Sequence, residues 1–476
     1  MKANEVTRRG GLAITIALTA ATVGVVYGYD TGSIAGALLF IPKDFSLSTT
    51  ATEWITTFTG IGLIVGALAA TVIADRFGRR TAMIIIAAGF TVFAILQGVA
   101  PGIVWLDVTR FFLGVAIGIS TVAAPVYIAE SAPVDIRGAL IVGYQVATVV
   151  GIMLAYFADY GLAASSSWRI MLALSAIASG LVLIILFRLP DTPRWYLMRG
   201  RRDDALAALH RADPTGDSER SAREIEVDVQ AARGGSLREM LHLPYMRPAV
   251  FVIVLGFLVQ ITGINAITYY SPFIFHDIGW SGNFVLLIQA LIELFSVLAT
   301  VAAVLVVDRI GRRTTLLTGI GTMVASTALL TVLYATGSSF GGVRSVLGFI
   351  GILFFTAGFN FGFGALVWVY ASESFPSRLR TTGASMMLTA DLLANLLISR
   401  FFLTVFQDMG GTGTFALFLG LAVISFIFVF AMAPETKGKP LEAIRVYWEN
   451  GGHWPPEDET AERVDALRRE ERLTTS

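Results

Sequence analysis

Cysteine is absent from this chain of 476 residues, which excludes disulfides, thiolate nucleophiles and cysteine metal sites while leaving the redox compartment open. Histidine is scarce too. The four present, His210, His242, His276 and His453, are far apart in sequence and none lies deep in an apolar run, so neither a histidine metal centre nor a histidine-based catalytic constellation is expected. Charged residues make up only 15% of the chain, where soluble domains carry nearer ~25%. The formal net charge is +0, and scattered arginines give no electrostatic footprint for nucleic acid. What is there is apolar: 55% of the residues are hydrophobic and the mean hydropathy is +0.70, a composition suited to a lipid solvent. The chain reads as a non-enzyme without a cofactor, with the lipid bilayer as its surroundings.

Crossing ~30 Å of hydrocarbon takes ~20 residues of helix. Runs of that kind lie near 11 to 41, 54 to 74, 81 to 100, 103 to 130, 138 to 160, 168 to 189, 248 to 275, 282 to 307, 314 to 336, 344 to 372, 381 to 406 and 412 to 433. They predict an all-α membrane protein of twelve transmembrane helices in two sets of six. Arg8 and Arg9 precede the first run as they would in a signal peptide, but that run is too long for a signal-peptide core and has no clear cleavage site, so it reads as the first span. Between the sets, RRDDALAALHRA and SAREIEVDVQAA combine helical apolar spacing with dense charge and predict amphipathic helices at the water interface. The expected organisation is an N-terminal six-helix half (1–190), a helical linker (191–247), a C-terminal six-helix half (248–433) and a tail (434–476), whose EDETAERVDALRREER reads as a solvated charged helix. Alternate loops hold Arg76, Arg79 and Arg80, then Arg137, the linker arginines, Arg309, Arg312 and Arg313, and finally Arg378 and Arg380; the opposite loops offer little beyond Lys43 and Arg344. This asymmetry places the linker and both termini on the cytoplasmic side of a cell membrane.

The chain repeats itself. DRFGRR at 75–80 recurs as DRIGRR at 308–313, AESAPVDIR at 129–137 as SESFPSRLR at 372–380, and PDT at 190–192 as PET at 434–436. The pairs keep nearly the same separation, so the two halves share one topology, and parallel repeats of this kind place a solute site between halves near the midplane. The glycine of each first motif permits a tight turn. Asp75, Arg79, Glu130 and Arg137 in one half, and Asp308, Arg312, Glu373 and Arg380 in the other, are expected to form cytoplasmic charge clusters that latch the halves when the site faces outward. The alternative is that the basic residues only set topology, which by itself requires neither the acidic residues nor their repetition.

Taken in order, GYDTG (28–32), DRFGRR (75–80), TRFFLG (109–114), PVYIAESAPVDIRG (125–138), PDTPRW (190–195), QITGINAITYY (260–270), DRIGRR (308–313) and PETKG (434–438) resemble the sugar porters of the major facilitator superfamily over about residues 10 to 445. The resemblance implies the major facilitator fold and a secondary active transporter that imports a monosaccharide with a proton, by alternating access, as a monomer. A proton-independent uniporter, a carrier of a cyclitol or polyol, and a membrane sugar sensor that binds without cycling are the alternatives.

Asp30 lies well inside the first apolar run, where a carboxylate costs ~2.5 to 3.5 kcal/mol on insertion scales. Arg110, at the start of the deep part of the fourth run, is its obvious partner. The resemblance pairs these positions and makes the aspartate the proton-coupling group; a permanent structural ion pair is the alternative. For the solute, amides match hydroxyls that both donate and accept, and aromatic faces stack on C–H surfaces. The resemblance implies a site containing Gln145, Gln260, Asn265, Tyr270, Ser296, Phe359, Trp368 and Asn395, with Gln260 and Asn265 flanking a Thr-Gly break and Tyr269 and Tyr270 closing the outer side. A buried amide can also be glue between helices. The chain departs from the family pattern at Val259, Ser296, Leu392 and Asp391, and Glu293 has no assigned counterpart. The two added carboxylates fit a different epimer, a cyclitol, an amino sugar or a second protonatable group. Alternatively Asp391 pairs with Arg400 through a bend or a partner helix, although nine positions on a straight helix put the two on opposite faces.

Overall fold

The computed structural model describes residues 11–132, 134–212, 216–231, 237–240, 242–280, 282–337 and 343–475, apart from some side chains within them. Among the described residues there is no strand. Ten stretches among the described residues are long and apolar enough to cross a membrane. The last, Arg378–Met432, is two spans, because Gly410 at φ 64° and ψ 175° breaks the helix. With the apolar helix Gly11–Ala37 the spans number twelve. They are helix 1 (Gly11–Ala37), helix 2 (Thr49–Phe77), helix 3 (Arg79–Gly98), helix 4 (Ile103–Ser131), helix 5 (Val134–Ala163), helix 6 (Trp168–Leu186), helix 7 (Met246–Ile278), helix 8 (Phe284–Ile310), helix 9 (Arg312–Ala335), helix 10 (Val343–Glu373), helix 11 (377–409) and helix 12 (411–432). Helix 2 begins before its apolar run because the Ser48 side chain accepts the Ala51 N–H and caps it. Helix 7 is interrupted after Ile261 and resumes at Ile264, with Gly263 at φ 101°, where the sequence predicted a Thr-Gly break.

The chain divides into two compact units. The first takes in Met1–Val229 with two later stretches, Ala266–Leu294 and Ser399–Thr404; the second takes in Gln230–Asn265, Phe295–Ile398 and Val405–Ser476. In the first unit helices 2 and 4 meet backbone to backbone through two small-residue motifs, Gly62 with Gly66 and Gly114 with Gly118. A Cβ at Gly62 would strike the Phe111 carbonyl oxygen, and one at Gly114 would strike that of Thr59. Lipid tails give apolar helix faces no reason to associate, so such close approach and its dispersion contacts hold the pair. In the second unit Gly319 of helix 9 meets the backbone of Gly358 and Gly362 of helix 10 in the same manner.

The repeated loop motifs are one structural device used twice. Gly78, at φ 103°, ends helix 2 and starts helix 3, and Gly311, at φ 99°, does the same between helices 8 and 9. The acidic residue of the third motif then caps the new helix. Asp191 accepts the backbone N–H groups of Arg79 (2.9 Å), Arg80 (3.3 Å) and Thr192 (2.9 Å). Glu435 accepts those of Arg312 (2.9 Å), Arg313 (3.1 Å) and Lys437 (3.0 Å). Burial pushes the Asp191 carboxyl above its ordinary range, and these N–H groups together with Arg79 pull it back. A Cβ at Gly78 would collide with the Asp191 carboxylate, and one at Gly311 with that of Glu435, so turn and cap require each other.

The linker forms the helices Arg202–Ala212 and Ser218–Ala231, tied together by Arg202 to Glu219 (2.7 Å) and Glu226 (2.6 Å). The tail helix Glu457–Thr475 is not solvated all round: Val464 is buried against Ala443 and Val446, with Trp454 and Leu467 beside it. The expectation of a wholly solvated helix missed this apolar stripe.

Replacing Asp191 with alanine is expected to destabilise the protein by about 0.5–2 kcal/mol, the ordinary cost of a lost cap, and Gly78→Ala to cost more, since it adds backbone strain to the collision. Unfolding midpoints of the purified variants in detergent check the order; equal midpoints for Gly78→Ala and the parent would refute it.

Candidate functional site

Helices 1 and 4 place Asp30 and Arg110 side by side. Arg110 Nη1 donates to Asp30 Oδ1 at 2.9 Å, and the side chains are 2% and 3% exposed for Arg110 and Asp30. Two such charges are tolerated away from water only because each satisfies the other. Gln97 of helix 3, fully buried, brings its Oε1 within 3.5 Å of the same Nη1. It is a lone amide in an otherwise apolar run, which is the signal the sequence offered for it. Arg110 Nε and Gln97 Nε2 are buried without a hydrogen-bond partner, so the cluster holds spare donors. Beside it lies a small cavity walled also by Tyr27, Thr31, Thr56, Thr59 and Tyr269. It has room for about one water molecule, which its hydroxyls suit.

The expected solute residues divide between the units. In the first, Gln145 on helix 5 is half-buried and its amide makes no hydrogen bond among the described residues. Tyr270 is fully buried and its hydroxyl is engaged with Thr56 Oγ1 (2.7 Å) and the Ser399 carbonyl (3.0 Å). In the second unit, Asn265 Nδ2 donates to Gln260 Oε1 at 2.7 Å across the helix 7 break, and the Gln260 side chain also hydrogen-bonds Asp391 of helix 11. Asp391 is thus bonded to one predicted solute residue, Gln260. Arg400 has a different partner, Glu53 of helix 2 at 2.8 Å, so an Asp391–Arg400 pair does not form. Glu53 falls before the second apolar run, and only the earlier start of helix 2 reveals it as a buried residue.

Helix 10 contains a π-helical turn, Asn360–Gly364, between Phe359 and Trp368. Such turns widen a helix and often mark functional positions. Asn360 within it reaches Thr300 of helix 8 (3.4 Å), whose hydroxyl also donates to the Ser296 carbonyl at 2.9 Å. Ser296 and Asn395 are buried, Phe359 is half-buried, and Trp368 leaves 40% of its surface exposed. Glu293 accepts a hydrogen bond from Gln289 at 3.1 Å.

The charges of the repeated loop motifs pair inside each unit. Arg79 bonds Asp75 (2.9 Å) and Glu130 (3.2 Å), and Glu130 also accepts the Thr192 hydroxyl at 2.6 Å. In the second unit Arg312 bonds Asp308 at 2.8 Å, and its approach to Glu373 is longer, 4.0 Å. Arg380 keeps a buried Nε without a hydrogen-bond partner. The Arg137 side chain lies outside the described residues.

Residues 16–448 match the model of the family described as sugar (and other) transporter. The galactose-proton symporter of Escherichia coli K12 is 32% identical over 431 residues, 90% of this chain and 93% of that protein. The arabinose-proton symporter of Bacillus subtilis is 31% identical over 446 residues, 92% of this chain and 95% of that one. Among solved structures, the partially occluded inward-open xylose transporter XylE of E. coli superimposes with a TM-score of 0.79 at 25% identity, covering 90% of this chain and all of that one, 100%.

Removing Arg110 would leave Asp30 buried with no cation, so Arg110→Ala is expected to cost about 3–5 kcal/mol. Asp30→Asn keeps a hydrogen-bonding partner for Arg110 and is expected to cost less. Denaturant titrations of both variants test this; an Arg110→Ala protein as stable as the parent would show that the pair is dispensable.

Proposed function

Because the chain belongs to the sugar (and other) transporter family, we propose that it imports a monosaccharide together with a proton by alternating access, across a cell membrane with its linker and termini in the cytoplasm. The chain is a multi-pass sugar transporter of the major facilitator superfamily, not an enzyme. The observation that carries the proton-coupled reading is the buried pair of Asp30 and Arg110 beside a water-sized cavity. A proton on Asp30 cancels its charge and ends the ion pair, after which Arg110 retains Gln97 as a polar neighbour. A step that changes one buried charge alters which arrangement of the surrounding helices is favoured, so proton occupancy biases the facing of the site. The likeness to two proton symporters of galactose and arabinose supports the same reading.

Gln145, Gln260, Asn265, Tyr270, Ser296, Phe359, Trp368 and Asn395 supply the solute contacts. An unpaired amide at Gln145 and a half-open indole at Trp368 suit a ligand with hydroxyls on its rim and C–H groups on its faces. The carboxyl of Asp391 next to Gln260, where the family pattern has an amide, supports a second reading, a polyol or cyclitol. The repeated cytoplasmic clusters, paired within each unit, are proposed to release and exchange partners as the cycle turns.

In proteoliposomes, adding the solute is expected to alkalinise the outer medium, and Asp30→Asn to abolish accumulation against a gradient while retaining binding and exchange. Accumulation by Asp30→Asn at the parent level would refute the coupling and leave the sugar-transport assignment standing. Gln145→Ala and Trp368→Ala are each expected to weaken binding at least about tenfold, ~1.4 kcal/mol, by calorimetry against a panel of pentoses, hexoses and cyclitols. Unchanged affinity in both would remove these residues from the site.

A further inference from the structure

We propose that Glu53, with Arg400 and Thr404, is an outer latch: a buried carboxylate that holds part of helix 11 against helix 2 and must let go each time the site opens to the outside. The latch lies at the end of helix 2 remote from the arginine-rich loops, one turn from its Thr49 start, and the Glu53 side chain is 0% exposed. Three donors from a five-residue stretch of helix 11 converge on it: Arg400 Nη1, the Thr404 hydroxyl and the Thr404 backbone N–H, each at 2.8 Å. A regular helix uses that N–H within its own ladder, so turning it to Glu53 binds the backbone of helix 11 as well as its side chains. The Arg400 guanidinium is further held over the Trp54 ring at 4.9 Å.

The next turn of the same face of helix 2 makes a second, uncharged set of contacts. Thr56 Oγ1 is 2.7 Å from the Tyr270 hydroxyl and 3.2 Å from the Ser399 carbonyl, and the Tyr270 ring stacks on Phe402 at 5.3 Å. Residues 53 and 56 are neighbours on a helix surface. Together they engage the two stretches, Ala266–Leu294 and Ser399–Thr404, that the second half of the sequence lends to the first unit. Thr56 also walls the cavity beside Asp30 and Arg110, so the latch and the buried pair sit on one continuous wall.

In this conformation Glu53 is buried and Arg400 is 23% exposed. Charge-assisted hydrogen bonds to a buried carboxylate are strong, and losing the arginine strands Glu53. When the outer side opens, water takes over both charges, so the closed and open arrangements each satisfy them and the balance between the two is set here. Neutralising either partner removes the closed-state bond while leaving the open state solvated. The inference rests on the proposed alternation and orientation but not on proton transport, and its test uses neither solute nor gradient.

The chain has no cysteine, so a single reporter is unambiguous. Ser399→Cys keeps the carbonyl that Tyr270 and Thr56 use, and its side chain is 1% exposed. In right-side-out cells, a membrane-impermeant maleimide should label this cysteine slowly, and Glu53→Gln or Arg400→Gln should raise the rate at least tenfold. The double variant should label no faster than the quicker single, since both remove one interaction. Arg400→Lys, which retains the charge, should stay closer to the parent than Arg400→Gln. Rates within twofold of the parent for both single variants would overturn the proposal, as would multiplicative effects in the double. A control cysteine at Ala87, buried in helix 3, should stay unlabelled; an equal gain there would mean general loosening and would also overturn it.

Discussion

A carboxylate held out of water needs donors, and the structure is organised around a handful of places where this need is met. Asp30 is met by Arg110, Glu53 by Arg400 and Thr404, Asp191 and Glu435 by backbone N–H groups at the starts of helices 3 and 9. Each pairing fixes the relative position of two helices more tightly than apolar packing can, because lipid competes equally for apolar faces and does not compete for charge. The apolar remainder of the chain supplies length and, through glycine, close approach.

The two kinds of satisfied carboxylate differ in what they permit. Capping by backbone N–H groups ties Asp191 and Glu435 to positively turned glycines that no other residue fits, which suits a hinge-like loop that must keep its shape. Pairing with an arginine side chain, as at Asp30 and Glu53, leaves a partner that can be exchanged for a proton, a neighbouring amide or water. The backbone caps therefore sit at the two repeated turns, whereas arginine–carboxylate pairs occur both at those turns and in the spans. The two repeats are alike in their caps but not in their exchangeable pairs. Arg79 holds Glu130 at 3.2 Å, whereas Arg312 stands 4.0 Å from Glu373.

Around the residues proposed to bind solute the chemistry is chiefly that of amides. Gln260 is held by Asn265 and by Asp391, which fixes the direction of its amide. The π-helical turn at Asn360–Gly364 sets the course of helix 10 between Phe359 and Trp368.

Much of this was legible along the chain. The twelve spans followed from the length of apolar runs, the duplicated halves from DRFGRR and DRIGRR, and the family from motifs kept in order, because each is a local property of covalent sequence and of what lipid tolerates. The Asp30–Arg110 pair was also foreseeable, since a charge placed deep in an apolar run demands a partner and the candidates are few. Other features became visible only in three dimensions. That Asp191 and Glu435 cap helices over a hundred positions earlier, that Arg400 faces Glu53 and not Asp391, and that Gln97 joins the buried pair depend on which helix faces meet. Helical periodicity gives the faces of one helix but not its neighbours. For Glu53 even the element boundary misled, because a polar Ser48 cap, and not hydropathy, decides where helix 2 begins and therefore whether that carboxylate lies in water or in the protein.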